Sequence, residues 1–550
     1  MFKKRYRFYL LLLILMAGSC INKNTDTGCI GNTMLNKLWN NIAKHSSSIK
    51  LNAVPVSSTQ IDLSWDDISN KKDFKIERSE NGIDFVEISN ALPINNSYSD
   101  KGLNSGKTYW YRVAYNDKRN QVYSNVSSVT LPWTKTYAGE ESNIINSMQV
   151  TNDGGYIMAG STNSFGMGKS DILVMKLNSD GTIAWEKAYG GVKGDSACCI
   201  QQTNDGGYIV IGASASFDED SGLWLFKLNP VGTIVWQKYY AGSLRGKIVS
   251  IQQTKDGGYI AAGSRNSVYG EESIIGAGGE DLWVLKFDSE GRVEWQKMYG
   301  GKKWDEATAV QQTSDGGYIV AGYLDSFDLL ILKLKTNGKI AWQKIYERAG
   351  KPFIIQLIAD GGYIVAGNNY FGMDRNYDIW ILELNSEGDI LWQKAYGGNK
   401  KDTANFIQPT SDGGYIVAGT TNSFGAGKDD FWILKLDSIG YIDWQKSYGG
   451  VGNDSAISIH QASDGGYIVA GNTDSFGSGV RDILILKLSM YGTVSSPKNT
   501  ITMSNTLATV VDLERALKNT IVHLTVVDTK IISKDVSGIS KDTSLFVHQQ

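Results

Sequence analysis

The sequence predicts an all-β protein, and three observations carry that prediction. From Trp133 onward the tetrapeptide Asp-Gly-Gly-Tyr occurs seven times, with a period of about 50 residues. Between these tetrapeptides lie short apolar or alternating runs typical of strands, and no helical periodicity separates them. Residues 51–132 alternate with period two but lack the repeat. Together these patterns predict a β-sandwich followed by a seven-bladed β-propeller of four-stranded antiparallel blades.

Composition narrows the function classes. The chain has 550 residues, which is enough for two to four domains. Its 61 Gly, 15 Trp and 28 Tyr against only 7 Pro exclude a disordered or collagen-like chain. The formal net charge of −3 argues against nucleic acid as a partner. With only four His, we expect no multi-histidine metal site, no His-centred triad and no cofactor.

The N-terminus is predicted to direct export. Basic residues at positions 3–7 precede an apolar run at 8–16, which is too short to span a bilayer. The following Ala17-Gly18-Ser19-Cys20 resembles the lipobox of bacterial lipoproteins, which implies lipidation at Cys20 and a lipid anchor at the outer membrane or cell surface. The alternative is an ordinary cleavable signal with an incidental cysteine. In either case the mature chain is predicted to be exported, and with the lipid anchor it belongs to the cell envelope.

The sequence divides into five predicted segments. Residues 1–20 are the signal peptide, and residues 21–48, rich in Asn, Ser and Lys, form a tether. The sandwich covers 49–132 and the propeller covers 133–490. Residues 491–550 are a tail of unknown structure, compatible with a short helix at 510–518 and a strand at 520–532.

The predicted sandwich has the marks of a known domain type. Leu63 and Trp65 lie on an alternating strand, and Leu103, Gly106 and Tyr109 match a tyrosine corner. With these residues the stretch resembles a fibronectin type III domain. The resemblance implies a spacer with Trp65 and Tyr109 in its core, and no Arg-Gly-Asp is present to carry integrin-type recognition.

A second signature predicts how the ring closes. Each Asp-Gly-Gly-Tyr is preceded by Trp-x-Lys-x-Tyr, first at Trp133, whereas no such motif follows the last repeat. We therefore expect the strand from Trp133 to Tyr137 to complete the last blade as its outermost strand.

The repeats, as in Asp-Gly-Gly-Tyr-Ile-Val-Ala-Gly, resemble tandem repeats of bacterial and archaeal surface proteins that mostly lack an assigned activity. More distantly they resemble quinoprotein-type propeller repeats, which also occur in an outer-membrane lipoprotein of the barrel-assembly machinery. The quinoprotein Ala-x-Asp-x-x-x-Gly pattern is not reproduced, so no cofactor is implied.

The repeated aspartates are predicted to be structural, because a residue needed in every blade is needed by the blade. Those of the tetrapeptide should cap their own turns. Asp218-Glu-Asp220 and Lys428-Asp-Asp430 are too sparse for a calcium loop. His460 is expected to be a strand residue and not a base. Cys198 and Cys199 are expected to be buried apolar residues on opposite faces of a strand.

Loops opposite the Asp-Gly-Gly turns vary in length between repeats, and variable loops on a rigid scaffold commonly carry binding. The non-repeated aromatic and arginine residues predicted on that face are Arg245, Tyr269, Trp304, Arg348, Tyr370, Arg375 and Tyr377.

The leading hypothesis is a non-catalytic, monomeric surface binding or adhesion module for an envelope protein or polysaccharide. The alternatives are an envelope assembly scaffold and a glycan-directed hydrolase or lyase. The enzyme hypothesis would require non-repeated acids clustered at one mouth of the channel.

Overall fold

The computed structural model describes most of the chain from residue 49 onward. The described residues are 49–66, 74–89, 96–117, 120–217, 221–240, 246–266, 279–300, 303–324, 328–346, 349–370, 377–494, 502–505, 509–512, 525–528, 533–535 and 546–549. Every regular element in these ranges is a strand. Across the same ranges, no helix has the length and apolar character needed to cross a membrane. The predicted signal peptide, Cys20 and the tether lie outside the described residues.

The first domain is a sandwich of two antiparallel sheets. Its strands are β1 (Leu51–Ser57), β2 (Gln60–Trp65), β3 (Phe74–Ser79), β4 (Val86–Ser89), β5 (Ser97–Lys101), β6 (Thr108–Asp117), β7 (Asn120–Tyr123) and β8 (Ser127–Thr130). One sheet has the order β1-β2-β5 and the other β4-β3-β6-β7, with β8 also on β6. Trp65 and Tyr109 are buried in the core as predicted. The Tyr109 hydroxyl accepts the Asn104 N–H at 3.0 Å, which ties the entry to β6.

The rest of the chain forms a propeller-like ring of seven antiparallel sheets, numbered 1 to 7 in chain order. The innermost strands are β10 (Asn143–Val150), β14 (Asp195–Gln202), β18 (Gly246–Gln253), β22 (Asp305–Gln312), β26 (Lys351–Leu357), β30 (Asp402–Pro409) and β34 (Asp454–Gln461). The second strands are β11 (Tyr156–Thr162), β15 (Tyr208–Ser214), β19 (Tyr259–Asn266), β23 (Tyr318–Leu324), β27 (Tyr363–Tyr370), β31 (Tyr415–Thr421) and β35 (Tyr467–Thr473).

The third strands are buried, because neighbouring sheets cover both of their faces, and most of their residues are apolar. They are β12 (Asp171–Leu177), β16 (Gly222–Leu228), β20 (Glu280–Phe287), β24 (Asp328–Leu334), β28 (Tyr377–Leu384), β32 (Asp430–Leu436) and β36 (Asp482–Leu488). The fourth strands carry the Trp-x-Lys-x-Tyr signature. They are β9 (Trp133–Tyr137), β13 (Ile183–Gly190), β17 (Ile234–Tyr240), β21 (Val293–Gly300), β25 (Ile340–Tyr346), β29 (Ile390–Gly397) and β33 (Ile442–Gly449).

The ring closes as predicted. β9 pairs antiparallel with β36, so the first signature strand completes the last sheet. The innermost strands contact one another in circular order, and β10 contacts β34. The Tyr137 hydroxyl donates to the Gly181 carbonyl of sheet 1 at 2.5 Å across this closure. Tyr189 makes the same bond to Gly232 at 2.6 Å between sheets 1 and 2. The signature tyrosine therefore joins each sheet to the next, and the closing interface is built like the others.

A bulge in every innermost strand explains the repeated glycine of Tyr-Ile-Val-Ala-Gly. In sheet 2 the register shifts between Ala197 and Cys199, so one extra residue is inserted opposite β15. The bulge brings the Ser196 carbonyl so close to Gly212 that a Cβ there would lie 2.2 Å from the oxygen. Only glycine fits at this second-strand position.

The tail adds fifth strands to five of the sheets. They are β37 (Thr502–Asn505), β38 (Thr509–Asp512), β39 (Thr525–Asp528), β40 (Ser533–Asp535) and β41 (Phe546–Gln549). These pair in turn with β33, β29, β21, β17 and β13, so the tail runs back around the outside of the ring. The register is the same in all five pairs, because the signature Lys always lies opposite the last residue of the tail strand, as in Lys394 with Asp512. The expected helix at 510–518 is wrong at its start, because residues 509–512 are a strand that pairs with the exposed edge of β29.

Candidate binding face

The tetrapeptide aspartates are structural, as predicted. Asp205 Oδ1 accepts the Gly207 N–H at 3.0 Å and the Thr203 hydroxyl at 2.6 Å, which fixes the turn. Lys227, on the third strand, also reaches Asp205 at 2.9 Å from a nearly buried position. These contacts lower the pKa of Asp205 to about 2, against an opposing effect of burial. The lysine partner was not predicted from the sequence, although a Lys is the second-last residue of six of the seven third strands.

A second set of aspartates forms buried pairs between sheets. Asp430 at the start of β32 and Asp454 at the start of β34 both lie against Gly449. Asp430 Oδ2 accepts the N–H groups of Ala426 and Gly427, whereas its Oδ1 is buried and accepts no hydrogen bond from any described residue. Burial, with a smaller contribution from Asp454, raises the pKa of Asp430 to about 6. The pair is a structural contact, and the described residues contain no group of three or more His, Cys, Asp or Glu side chains placed to hold a metal.

The central channel is uncharged. Its cavity, about 540 Å³, is lined by side chains of the innermost strands, and none of the described lining residues is Asp, Glu, Lys or Arg. Glutamines join neighbouring sheets at the end nearest the Asp-Gly-Gly turns. Gln201 Oε1, for example, accepts the Gln253 N–H at 2.6 Å. At one interface the corresponding residue is Pro409, which has no N–H, and Gln356 Oε1 instead accepts the Gln311 amide at 2.7 Å.

His460 occupies a glutamine position on the channel wall, as predicted. Its Nε2–H donates to the Met148 carbonyl at 2.9 Å across the closing interface. Burial lowers the pKa of His460 to about 4, so the ring is neutral at physiological pH. His460 is therefore a strand residue whose side chain joins sheet 7 to sheet 1 through a hydrogen bond.

The structure corrects the prediction for the adjacent cysteines. Cys198 is the extra residue of the bulge, and both cysteines line the channel half-buried instead of facing opposite sides. Their thiols are free and donate to the carbonyls of Ile211 and Val249. The neighbouring Cys198 thiol and burial raise the pKa of Cys199, which disfavours the reactive thiolate.

The variable loops and the sandwich lie at opposite ends of the ring. The Thr130 N–H at the end of the sandwich donates to Asp464 Oδ2 at 3.3 Å, in an Asp-Gly-Gly turn of sheet 7. The opposite end, here called the loop face, carries the residues that immediately precede the first and third strands of each sheet. The sandwich therefore leaves the loop face uncovered.

Two cavities of about 350 Å³ each open on the loop face. They share Lys401, Thr403 and Asn405, and together they form what we call the mouth groove. The cavity toward sheet 5 is lined by Gly350, Lys351, Phe353, Asn368, Tyr377, Lys401, Thr403 and Asn405. The cavity toward sheet 7 is lined by Lys401, Thr403, Asn405, Thr420, Asp429, Asn453, Ser455, Ile457, Asn472 and Arg481. Because Asn405 also lines the channel, the mouth groove and the channel meet there.

The mouth groove is cationic. The Lys401 ammonium lies 5.7 Å from the centre of the Tyr377 ring. Lys351 donates to the Tyr323 hydroxyl at 3.0 Å and lies 3.8 Å from Glu306, which Lys247 also contacts at 2.7 Å. Burial lowers the pKa of Lys351, and Glu306 partly opposes that shift. Glu306 is a non-repeated acid at this end of the channel, and its two lysine partners lower its pKa against the effect of burial.

The structure places only part of the predicted binding set. Tyr377 lines the mouth groove half-buried. Trp304 is on the loop face with 54% of its surface exposed, packed beside Gly279 and away from the groove. Tyr370 ends strand β27, and its side chain is outside the described set. Arg245, Tyr269, Arg348 and Arg375 lie outside the described residues.

Lys401 and Asn405 were missed because only arginine and aromatic residues were selected from the sequence, and Arg481 was not selected although it meets that criterion. The signal was nevertheless present in the repeat. Lys401 occupies the same position as Arg245 and Trp304, directly before an innermost strand. Arg481 occupies the same repeat position as Tyr377, directly before the repeated aspartate, Asp482 or Asp378, of a third strand.

Comparison with known proteins gives a distant structural likeness and no family. No protein-family model matches the chain, and no curated protein matches it. The exotype rhamnogalacturonan lyase YesX is 14% identical, with 80% of this chain and 90% of that chain covered and a TM-score of 0.40. The rhamnogalacturonan lyase YesW is 12% identical, with coverage of 81% and 91% and a TM-score of 0.34.

A DUF4784 family protein from Bacteroides caccae is 9% identical, with coverage of 71% and 93% and a TM-score of 0.23. At these values no activity transfers from any of the three proteins to this chain.

Proposed function

We propose that this chain is a non-catalytic cell-envelope lipoprotein whose loop face binds a polysaccharide or an envelope protein. In this proposal the ring is a seven-bladed β-propeller, the sandwich is a fibronectin type III-like spacer, and Cys20 carries the lipid anchor. The observation that carries it is the mouth groove, a concave polar site with an aromatic wall at the end of the ring opposite the sandwich.

The arrangement of the two ends supports this proposal. The chain enters the ring from the sandwich at the Asp-Gly-Gly end, through the contact between Thr130 and Asp464. With the anchor preceding the sandwich in the sequence, the mouth groove would face away from the membrane. The non-repeated residues Lys401, Tyr377 and Arg481 gather at that outer end, whereas the residues common to all repeats hold the sheets together.

The enzyme hypothesis has less support. Carboxylate-based glycan hydrolysis uses two acids about 5–10 Å apart that flank the reacting bond. The described channel lining contains no acid. At the mouth, Glu306 is paired with Lys247 and Lys351, and Asp429 accepts a hydrogen bond from the Asn422 amide. The scaffold alternative differs from the leading proposal in the role of the partner, because the loop face would then hold other envelope proteins for their assembly.

A capture experiment tests the proposal. The full chain is immobilised and exposed to solubilised envelope proteins and, separately, to a panel of polysaccharides. We expect one class to be retained at moderate salt and the retention to be lost on Tyr377→Ala. The double substitution of Trp304 and Arg375 tests whether the site extends across the loop face. Retention followed by shortening of the polysaccharide would replace this proposal with the enzyme hypothesis.

A further inference from the structure

We infer that the mouth groove binds an acidic saccharide, with the carboxylate of a uronic acid held between Lys401 and Lys351. This inference rests on the proposed function, because it names the ligand class of the same site. Three properties of the groove carry it: its charge, its mixture of donors, and its shape.

The charge of the groove is opposite to that of the chain. The described lining residues include three cations, Lys351, Lys401 and Arg481, and one anion, Asp429. Arg481 is paired with Asp474 at 2.7 Å, so the positive charge available to a ligand comes from the two lysines. The cavity toward sheet 5 has two lysines and no acid in its lining, although the formal net charge of the chain is −3. A carboxylate placed there forms charge-assisted hydrogen bonds, which are about twice as strong as neutral ones.

The two lysines are not equivalent. Lys351 is held by the Tyr323 hydroxyl at 3.0 Å and its ammonium lies 4.4 Å from the centre of the Tyr323 ring, so it is positioned before any ligand arrives. Glu306 lies 3.8 Å from the Lys351 ammonium and also contacts Lys247, at 2.7 Å. Because its charge is divided between two lysines, Glu306 offsets only part of the charge of Lys351. Lys401 is exposed and is free to turn from the Tyr377 ring toward a ligand.

The remaining lining suits a sugar ring. Tyr377 and Phe353 supply aromatic surface against which the C–H face of a pyranose can pack. Thr403 and Asn405 supply hydroxyl and amide groups that can donate to and accept from sugar hydroxyls. Each cavity, at about 350 Å³, falls in the usual range of small-molecule sites. An acidic peptide needs the same charge but gains little from adjacent rings and amides in a concave site, so we favour the saccharide.

The test compares three probes on the immobilised full chain in low salt. Polygalacturonate supplies uronate carboxylates, its fully methyl-esterified form presents the same sugar without charge, and poly-glutamate supplies carboxylates without sugar. The variants are Lys401→Gln and, as a matched control, Lys339→Gln, which removes an exposed lysine from the turn between β24 and β25 at the opposite end of the ring.

We expect polygalacturonate to bind, Lys401→Gln to weaken that binding about tenfold, and Lys339→Gln to leave it unchanged. Equal binding of the methyl-esterified polymer, lost on Tyr377→Ala, would overturn the acidic ligand class while leaving the binding face intact. Equal binding of poly-glutamate would overturn it in favour of an acidic peptide. Binding of none of the three probes would overturn the inference, and capture from envelope extracts would then decide the proposed function separately.

Discussion

The buried carboxylate pair between sheets 6 and 7 makes stability depend on pH with an unusual sign. The pKa of Asp430 rises from its ordinary value of 3.8 to about 6 in the folded protein, chiefly because the side chain is fully buried. A carboxyl group whose pKa is raised by folding stabilises the folded state most below about pH 4 and loses that contribution as the pH rises through 6. At about 1.4 kcal/mol for each pH unit, the shift corresponds to about 3 kcal/mol.

The Asp430→Asn substitution removes this titration without changing the shape of the side chain. The asparagine Oδ1 can still accept the N–H groups of Ala426 and Gly427, and its amide can donate to Asp454. We therefore expect the variant to be more stable than the wild type by up to about 3 kcal/mol at pH 7.5, and by much less at pH 4.

Guanidinium denaturation followed by tryptophan fluorescence at pH 4 and pH 7.5 measures this difference. Asp205→Asn serves as a control of opposite sign. The pKa of Asp205 is lowered to about 2 by its hydrogen bonds and by Lys227, so its loss should destabilise the protein at neutral pH. If the stability of the Asp430→Asn variant depended on pH as that of the wild type does, the claim that ionisation of Asp430 destabilises the folded protein would be refuted.

Three further predictions concern the construction of the ring. Tyr137→Phe should lower the free energy of unfolding by about 1–2 kcal/mol, because it leaves the Gly181 carbonyl without its donor. Tyr189→Phe should lower it by about the same amount. Chemical denaturation measures both, and a silent Tyr137→Phe would contradict closure by β9. Gly212→Ala should lower the thermal midpoint by several degrees, because its Cβ would overlap the carbonyl of the bulged strand. Truncation after Val494 should uncover five sheet edges, and light scattering should detect concentration-dependent association. A truncated chain that stays monomeric would contradict the prediction that the tail protects these edges.

Much of the fold could be predicted from the sequence because its determinants are local and repeated. Asp205 caps its own turn through contacts with residues only two positions away, so the tetrapeptide predicts a hairpin wherever it occurs. Closure by Trp133–Tyr137 followed from counting signatures, since one lay before the first repeat and none after the last. The bulge was not predicted, because nothing in the alternation at Cys198 marks an extra residue. The error about the cysteine faces follows directly from it.

The candidate site was harder to predict than the fold. Tyr377 was selected from the sequence, whereas Lys401 and Arg481 were passed over as ordinary loop residues. Their proximity depends on which sheets are neighbours and on which end of each strand reaches the loop face. Those relations join residues far apart in the chain, and periodicity alone does not rank one loop above another.

The sequence by itself determined the strands, the turns, the repeat number and the order in which the ring is closed. Each of these depends on residues within a few positions of one another or on the count of a motif. Only the tertiary structure decided where charge gathers, because Lys351, Lys401 and Arg481 belong to three different sheets. It also decided the course of the tail, whose short strands have no apolar period of their own and gain their hydrogen bonds from the outer edges of sheets already formed.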